Sequence, residues 1–89
     1  MVWRIELSTL AQKNLADLDR PVAVRILTFL HERVAALDDP GSIGEALKGS
    51  RPGSLWKYRV GDYRIVADIE DGALRVLVVK IGNRRDVYR

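Results

Sequence analysis

The 89-residue chain contains no cysteine. That excludes a disulfide scaffold, a thiolate metal site and a thiol nucleophile, and it fits a reducing compartment. There is one histidine, so no His cluster and no paired-imidazole acid–base chemistry is available. No run approaches the ~20 apolar residues that a membrane span needs. The opening "MVWRIELSTL" lacks a signal-peptide apolar core and cleavage site, so a cytoplasmic protein is expected. Internal repeats and low-complexity tracts are also missing. One domain covering 1–89 is expected.

Positive charge is present in excess, and unevenly. Net charge is +3. Residues 1–50 hold six Lys/Arg against seven Asp/Glu, and residues 51–89 hold nine against five. A basic second half points to a polyanionic partner, nucleic acid first.

"VWRIEL" (2–7) alternates and reads as a strand. Ser8 or Thr9 caps a helix, with Thr9 and Gln12 spaced as a capping box. Ala11, Leu15 and Leu18 form its apolar stripe, on a helix of about ten residues. Pro21 suits the first turn of a second helix, whose apolar positions run from Val22 to about Leu37. The two form a helical hairpin. A polar loop follows to about Ser54. "LWKYRV" (55–60), "YRIVADIE" (63–70) and "ALRVLVVKI" (73–81) are three strands, joined by Gly61–Asp62 and by Asp71–Gly72. The order β-α-α-β-β-β gives an α+β fold: an N-terminal strand, a helical hairpin, then a three-stranded antiparallel meander with the helices on one face.

The register carries the functional signal. With Gly61–Asp62 as a two-residue loop, Arg59 lies opposite Arg64. Lys57, Arg59 and Arg64 then share one face. Trp56, Tyr58, Val60, Tyr63, Ile65, Ala67 and Ile69 share the other, beneath the helices. Arg59 against Arg64 is a destabilising like-charge pair. Asp68 is expected opposite Arg75 and so already partnered. An external anion resolves the repulsion; the plain alternative is three solvated surface cations. The tail "GNRRDVYR" adds Arg84 and Tyr88 beside this face. Cations converging with an aromatic ring suit a phosphate and a base. No metal site, phosphate loop or Ser-His-Asp set is evident. His31 is expected on the surface; Trp3 and Trp56 are expected in the core.

"LWKYRVGDYRIVADIEDGALRVLVVKIGNRRDVYR" resembles the RelE/ParE superfamily of type II toxin–antitoxin toxins, on the RelE branch. The resemblance rests on "YR" after a tight turn, an apolar strand, then "GNRRDVY". It implies a metal-independent, cofactor-free endoribonuclease that enters the ribosomal A site. There the 2′-OH of the mRNA attacks the adjacent phosphate. Carried over, Lys57, Arg59, Arg64, Arg84 and Tyr88 are the catalytic set. Arg64 and Lys57 hold the phosphate, Arg84 sits at the leaving oxygen, and Tyr88 stacks on a base. Lys48, Arg51, Arg85 and Arg89 are expected to contact RNA. Position 59 is Arg where well-known relatives have Lys, a candidate general base; a guanidinium does not readily accept a proton. Lys57, crowded by Arg59 and Arg64, then becomes the candidate base, or the site works mainly by electrostatics. The implied partners are a cognate antitoxin, the ribosome and mRNA, with DNA reached only through the antitoxin and no membrane. The alternatives are a ParE-like gyrase inhibitor on the same fold and a non-catalytic nucleic-acid-binding module.

Overall fold

The computed structural model describes residues 3–36, 43–46 and 55–83. Five strands form one sheet, β1 (Arg4–Leu7), β2 (Glu45–Ala46), β3 (Leu55–Val60), β4 (Tyr63–Glu70) and β5 (Arg75–Asn83), in the order β1-β5-β4-β3-β2. Helices α1 (Thr9–Ala16) and α2 (Arg20–Thr28) lie between β1 and β2. Among the described residues, no helix is long and apolar enough to cross a membrane.

The predicted alternation of β3 and β4 is realised. Tyr58, Val60, Ile65, Ala67 and Ile69 are buried in one core with Ala11 and Ile26 of the helices. Trp3 joins them at 5% exposure, and Trp56 packs against their edge. Tyr58, Ile26, Leu30, Ile65 and Val34 are among the largest fully buried side chains. Each such aliphatic side chain contributes about 1.5–3 kcal/mol on burial. A like-charge pair on the opposite face costs at most about 1 kcal/mol. The core therefore dictates which face each side chain takes, and the arginines are carried along by it.

Three features differ from the sequence expectation. First, β1 pairs with β5 in parallel, from Arg4 opposite Arg75 to Leu7 opposite Val78, so the sheet is mixed. A parallel partner requires a long crossover, and the intervening helices are part of one. Second, the last hairpin loop spans four residues, not two. Asp71–Ala73 form a short 3₁₀ turn, and Leu74 takes a positive φ of 48°. Glu70 thereby faces Arg75, and Asp68 faces Leu77 rather than Arg75. Arg75 is tied instead to Glu70 and Glu6, with its Nη1 donating to Glu6 Oε2 at 3.1 Å. Hydrogen bonds from Arg75 to Glu70 and then Glu6 hold its guanidinium above its already high ordinary pKa. Third, a register shift follows Val66: Lys80 faces Val66, Val78 faces Ala67, and Val79 is the extra residue of a bulge.

The helices start and end close to expectation. Ser8, not Thr9, is the cap: its Oγ accepts from Ala11 N at 3.0 Å and donates to Val79 O at 2.6 Å. The Thr9–Gln12 box is displaced, because Ser8 N–H is already committed to Val78 O and Gln12 reaches Leu7 O. Pro21 sits in the first turn of α2, as expected. Beyond Thr28 the helix widens into a π-helical segment, Phe29–Val34, closed by Ala35 N donating to Leu30 O. Leu37, the expected helix end, lies outside the described residues. His31 is exposed on this segment.

Past Val78, β5 no longer has β1 beside it. Asn14 of α1 takes over that edge, its Oδ1 accepting from Ile81 N at 3.0 Å. Asn14→Leu leaves a part-buried N–H without a partner, which costs about 1–3 kcal/mol. The variant is expected to unfold at correspondingly lower urea, whereas Asn14→Asp, which keeps an acceptor, loses less.

Candidate functional site

The β3–β4 turn is built as the sequence predicts. Gly61 has φ +59° and Asp62 is not in the left-handed region, the pattern of a type II′ turn with Gly first. Val60 faces Tyr63, Arg59 faces Arg64, and Lys57 lies two residues from Arg59 on the same face. The three cations converge on a pocket of about 220 Å³.

Each cation is held differently. Arg64 Nη1 donates to Gly61 O at 3.1 Å and to Tyr63 O at 3.0 Å, so the guanidinium is anchored on its own turn. Arg59 is exposed and forms no salt bridge among the described residues. Lys57 Nζ is 3.3 Å from Glu45 Oε2. That contact exists because the segment read as a polar loop contains β2, which sets Glu45 opposite Lys57. Among the described residues, Glu45 is the one carboxylate lining the pocket. No periodicity in the sequence points to it, because a two-residue strand has none. Lys57 therefore has an acid beside it as well as two arginines.

Gly44 makes this approach possible. A Cβ there would stand 2.9 Å from Tyr58 Cε1 and 3.0 Å from Lys57 O. Gly44→Ala must displace β2 from β3, at about 1–3 kcal/mol. The expected result is a lower melting temperature together with weaker binding of a phosphate-bearing ligand.

The last residues of β5 reach the same turn. Gly82 stands opposite Arg64, contributing no side chain there, and Asn83 stands opposite Tyr63. Arg84 follows Asn83 in the chain. Arg84, Arg85, Tyr88, Arg89, Lys48 and Arg51 themselves lie outside the described residues. Among the described residues, no group of three or more His, Cys, Asp or Glu is placed to hold a metal ion.

Among the described residues, a pocket lined by three cations suits a phosphodiester, whose charge the cations match. Residues 5–88 match the family model described as the ParE toxin of type II toxin–antitoxin system, parDE. The chain belongs to the ParE toxin family of type II toxin–antitoxin systems. Within this family the toxin is RelE-like. It is 30% identical over 87 residues to Toxin RelE of Mycobacterium tuberculosis, covering 98% of this chain and 87% of that protein. Among solved structures, the RelBE2 toxin–antitoxin complex from Mycobacterium tuberculosis matches with a TM-score of 0.83 at 20% identity, over 97% of this chain and 95% of that one. The RelE–RelB complex from Pyrococcus horikoshii gives 0.75 at 22% identity, over 98% and 100%. The isolated RelE toxin of Escherichia coli gives 0.72 at 21% identity, over 97% and 90%. These structural likenesses show a shared fold.

Proposed function

We propose that this toxin is a ribosome-dependent mRNA endoribonuclease, neutralised by a cognate antitoxin in the cytoplasm. The observation that carries this is the pocket lined together by Lys57, Arg59, Arg64 and Glu45, with Glu45 in contact with Lys57. The 2′-oxygen of the RNA attacks phosphorus, its proton passes to the Glu45 carboxylate, and the bond from phosphorus to the 5′-oxygen breaks. The 5′-oxygen takes a proton from water. The products are a 2′,3′-cyclic phosphate and a 5′-hydroxyl end. Lys57 and Arg64 neutralise the phosphate as charge builds. By the family resemblance, Arg84 acts at the leaving oxygen and Tyr88 stacks on a base.

Glu45 replaces Lys57 as the proposed proton acceptor, since it is the carboxylate at hand. Glu45→Gln is expected to slow single-turnover cleavage about a hundredfold, the low end for a general base, with Lys57 left in place to bind. A Glu45→Gln toxin that cuts at the wild-type rate would leave the site to electrostatics alone.

Solved relatives that are toxin–antitoxin complexes support an antitoxin partner. It is expected to bring an acidic or amphipathic segment to the basic face, and to supply any DNA binding of the pair.

The deciding experiment is brief induction without antitoxin, followed by primer extension across translated transcripts. Cuts inside codons, with 5′-hydroxyl ends, are expected, and methionine incorporation should stop before DNA synthesis. The ParE description of the family favours one other reading, inhibition of gyrase. Early loss of DNA synthesis with intact transcripts would establish that instead.

A further inference from the structure

The cleavage pocket is not the only cavity at Arg59. A second groove of about 340 Å³ lies on the other side of that residue, between α2, the π-helical segment and the β3–β4 turn. Its floor is Phe29 and Val60; its rim carries Arg25, Arg33 and Arg59, with Glu32 the single acid among the described residues. Arg25, Arg33 and Glu32 are exposed. Among the described residues, none of the three arginines forms a salt bridge. Glu32 is thus present but not paired with them.

The groove is joined to the pocket by more than proximity. Arg59 lines both cavities. A side chain added at Gly61 would stand 3.4 Å from Arg25 Nη1, so the Arg25 guanidinium lies over the same turn whose Gly61 carbonyl anchors Arg64. One glycine turn therefore has a guanidinium from α2 against it and one from β4 bound to it. Phe29 is half-buried and held edge-on to Tyr58, ring centroids 6.0 Å apart, which fixes the floor of the groove to the strand carrying Lys57 and Arg59.

We infer that this groove seats the nucleotide next to the cut on the same mRNA strand, with Arg25 and Arg33 on its phosphates. The inference rests on the ribonuclease function proposed above. An apolar floor with a cationic rim matches a base above and a phosphodiester at the edge. The volume falls at the small end of ligand clefts, roughly 300–1,000 Å³, which is room for one nucleotide. An amphipathic protein helix would meet several unpaired guanidiniums over a narrow floor; a nucleic-acid strand meets them with its own charge. On a ribosome the strand 5′ of the cut codon is paired with tRNA, so the groove takes the 3′ side.

The test uses the full-length toxin, the Arg25→Gln/Arg33→Gln double variant, and ribosomes programmed with two messages. One message extends past the cut, and the other ends in an abasic nucleotide immediately 3′ of the cut, which keeps the attacked phosphate and removes the base and the following phosphate. Sedimentation of toxin with ribosomes reads binding independently of cleavage. On the long message, the double variant should need about tenfold more toxin for half-maximal binding and cleavage. Its saturated rate should be unchanged, and the slope of log affinity against log salt should fall by about 1–2. Shortening the message should weaken the wild type to a similar extent and weaken the variant no further, because the same contact is removed twice. Additive losses would overturn the inference and place the arginines on ribosomal RNA. Unchanged ribosome binding with weakened antitoxin binding would overturn it in favour of a protein occupant. A wild-type toxin that sediments without cutting would defeat the ribonuclease function; the groove then stands as a message contact if the double variant still sediments about tenfold more weakly on the long message, and is overturned if it does not. One that does not sediment with ribosomes at all defeats both.

Discussion

Arg64→Ala is expected to abolish growth arrest and to slow single-turnover cleavage on ribosomes by about 10³, the cost of removing one well-placed electrostatic stabiliser. The geometry explains why this arginine should matter more than its neighbours. Lys57 shares its charge with Glu45 at 3.3 Å, and Arg59 is exposed. Arg64 is anchored through Nη1 to the carbonyls of Gly61 and Tyr63. Its charge is therefore already oriented when a phosphate arrives, and little ordering entropy remains to be lost. The same geometry predicts an intact fold. Removing the side chain loses hydrogen bonds of about 0.5–1.5 kcal/mol each, at a turn that water can reach. It also relieves the repulsion between Arg59 and Arg64. Arg64→Lys separates charge from geometry, because one ammonium cannot hold both carbonyls and present a planar fork to phosphate. It should retain the melting temperature and recover only part of the rate. A folded, soluble Arg64→Ala protein that arrests growth at the wild-type dose would remove Arg64 from the site.

The cationic cluster was legible in the sequence because one short turn determines it. Gly61 is permissive for positive φ, the two-residue loop follows and fixes the pairing, and the alternation of β3 and β4 then places Tyr58, Ile65 and Ala67 together in the core. The second hairpin lacked that constraint. Moving it by two residues keeps Ile69, Val76 and Val78 on the core face, so hydrophobic pattern cannot distinguish the two registers. The ion pairs of Arg75 with Glu70 and Glu6 accompany the longer loop, and Glu6 comes from a strand distant in sequence. The bulge at Val79 was hidden for a related reason. "VLVV" is apolar throughout, so a change of face leaves no mark until Lys80 and Ile81. Glu45 was invisible because β2 has only two residues, and its position depends on Gly44 fitting against Tyr58.

The purified toxin is expected to cut free RNA poorly, and to cut the same message on ribosomes several orders of magnitude faster. In-line attack needs the 2′-oxygen, phosphorus and 5′-oxygen aligned, and such alignment is worth up to about 10⁵–10⁸ M in effective molarity. The pocket of about 220 Å³ has room for the reacting phosphate and little surface to bend a flexible strand around it. Its cations act on charge once the geometry exists; they do not create the geometry. Its carboxylate is three-quarters exposed, and Glu45 in water is a weaker lever than a buried acid–base pair. A decoding site that already displays splayed, ordered bases supplies what the toxin lacks. The contrast is measured with one labelled message, free and ribosome-bound, at matched toxin concentration, and repeated over a salt series. Added salt should weaken the encounter in both cases, since the charge on Arg59 is solvated. If a free oligonucleotide were cut at a rate comparable to that on ribosomes, the alignment would have to come from the protein itself. The groove beside Arg59 would then be the first place to look for it.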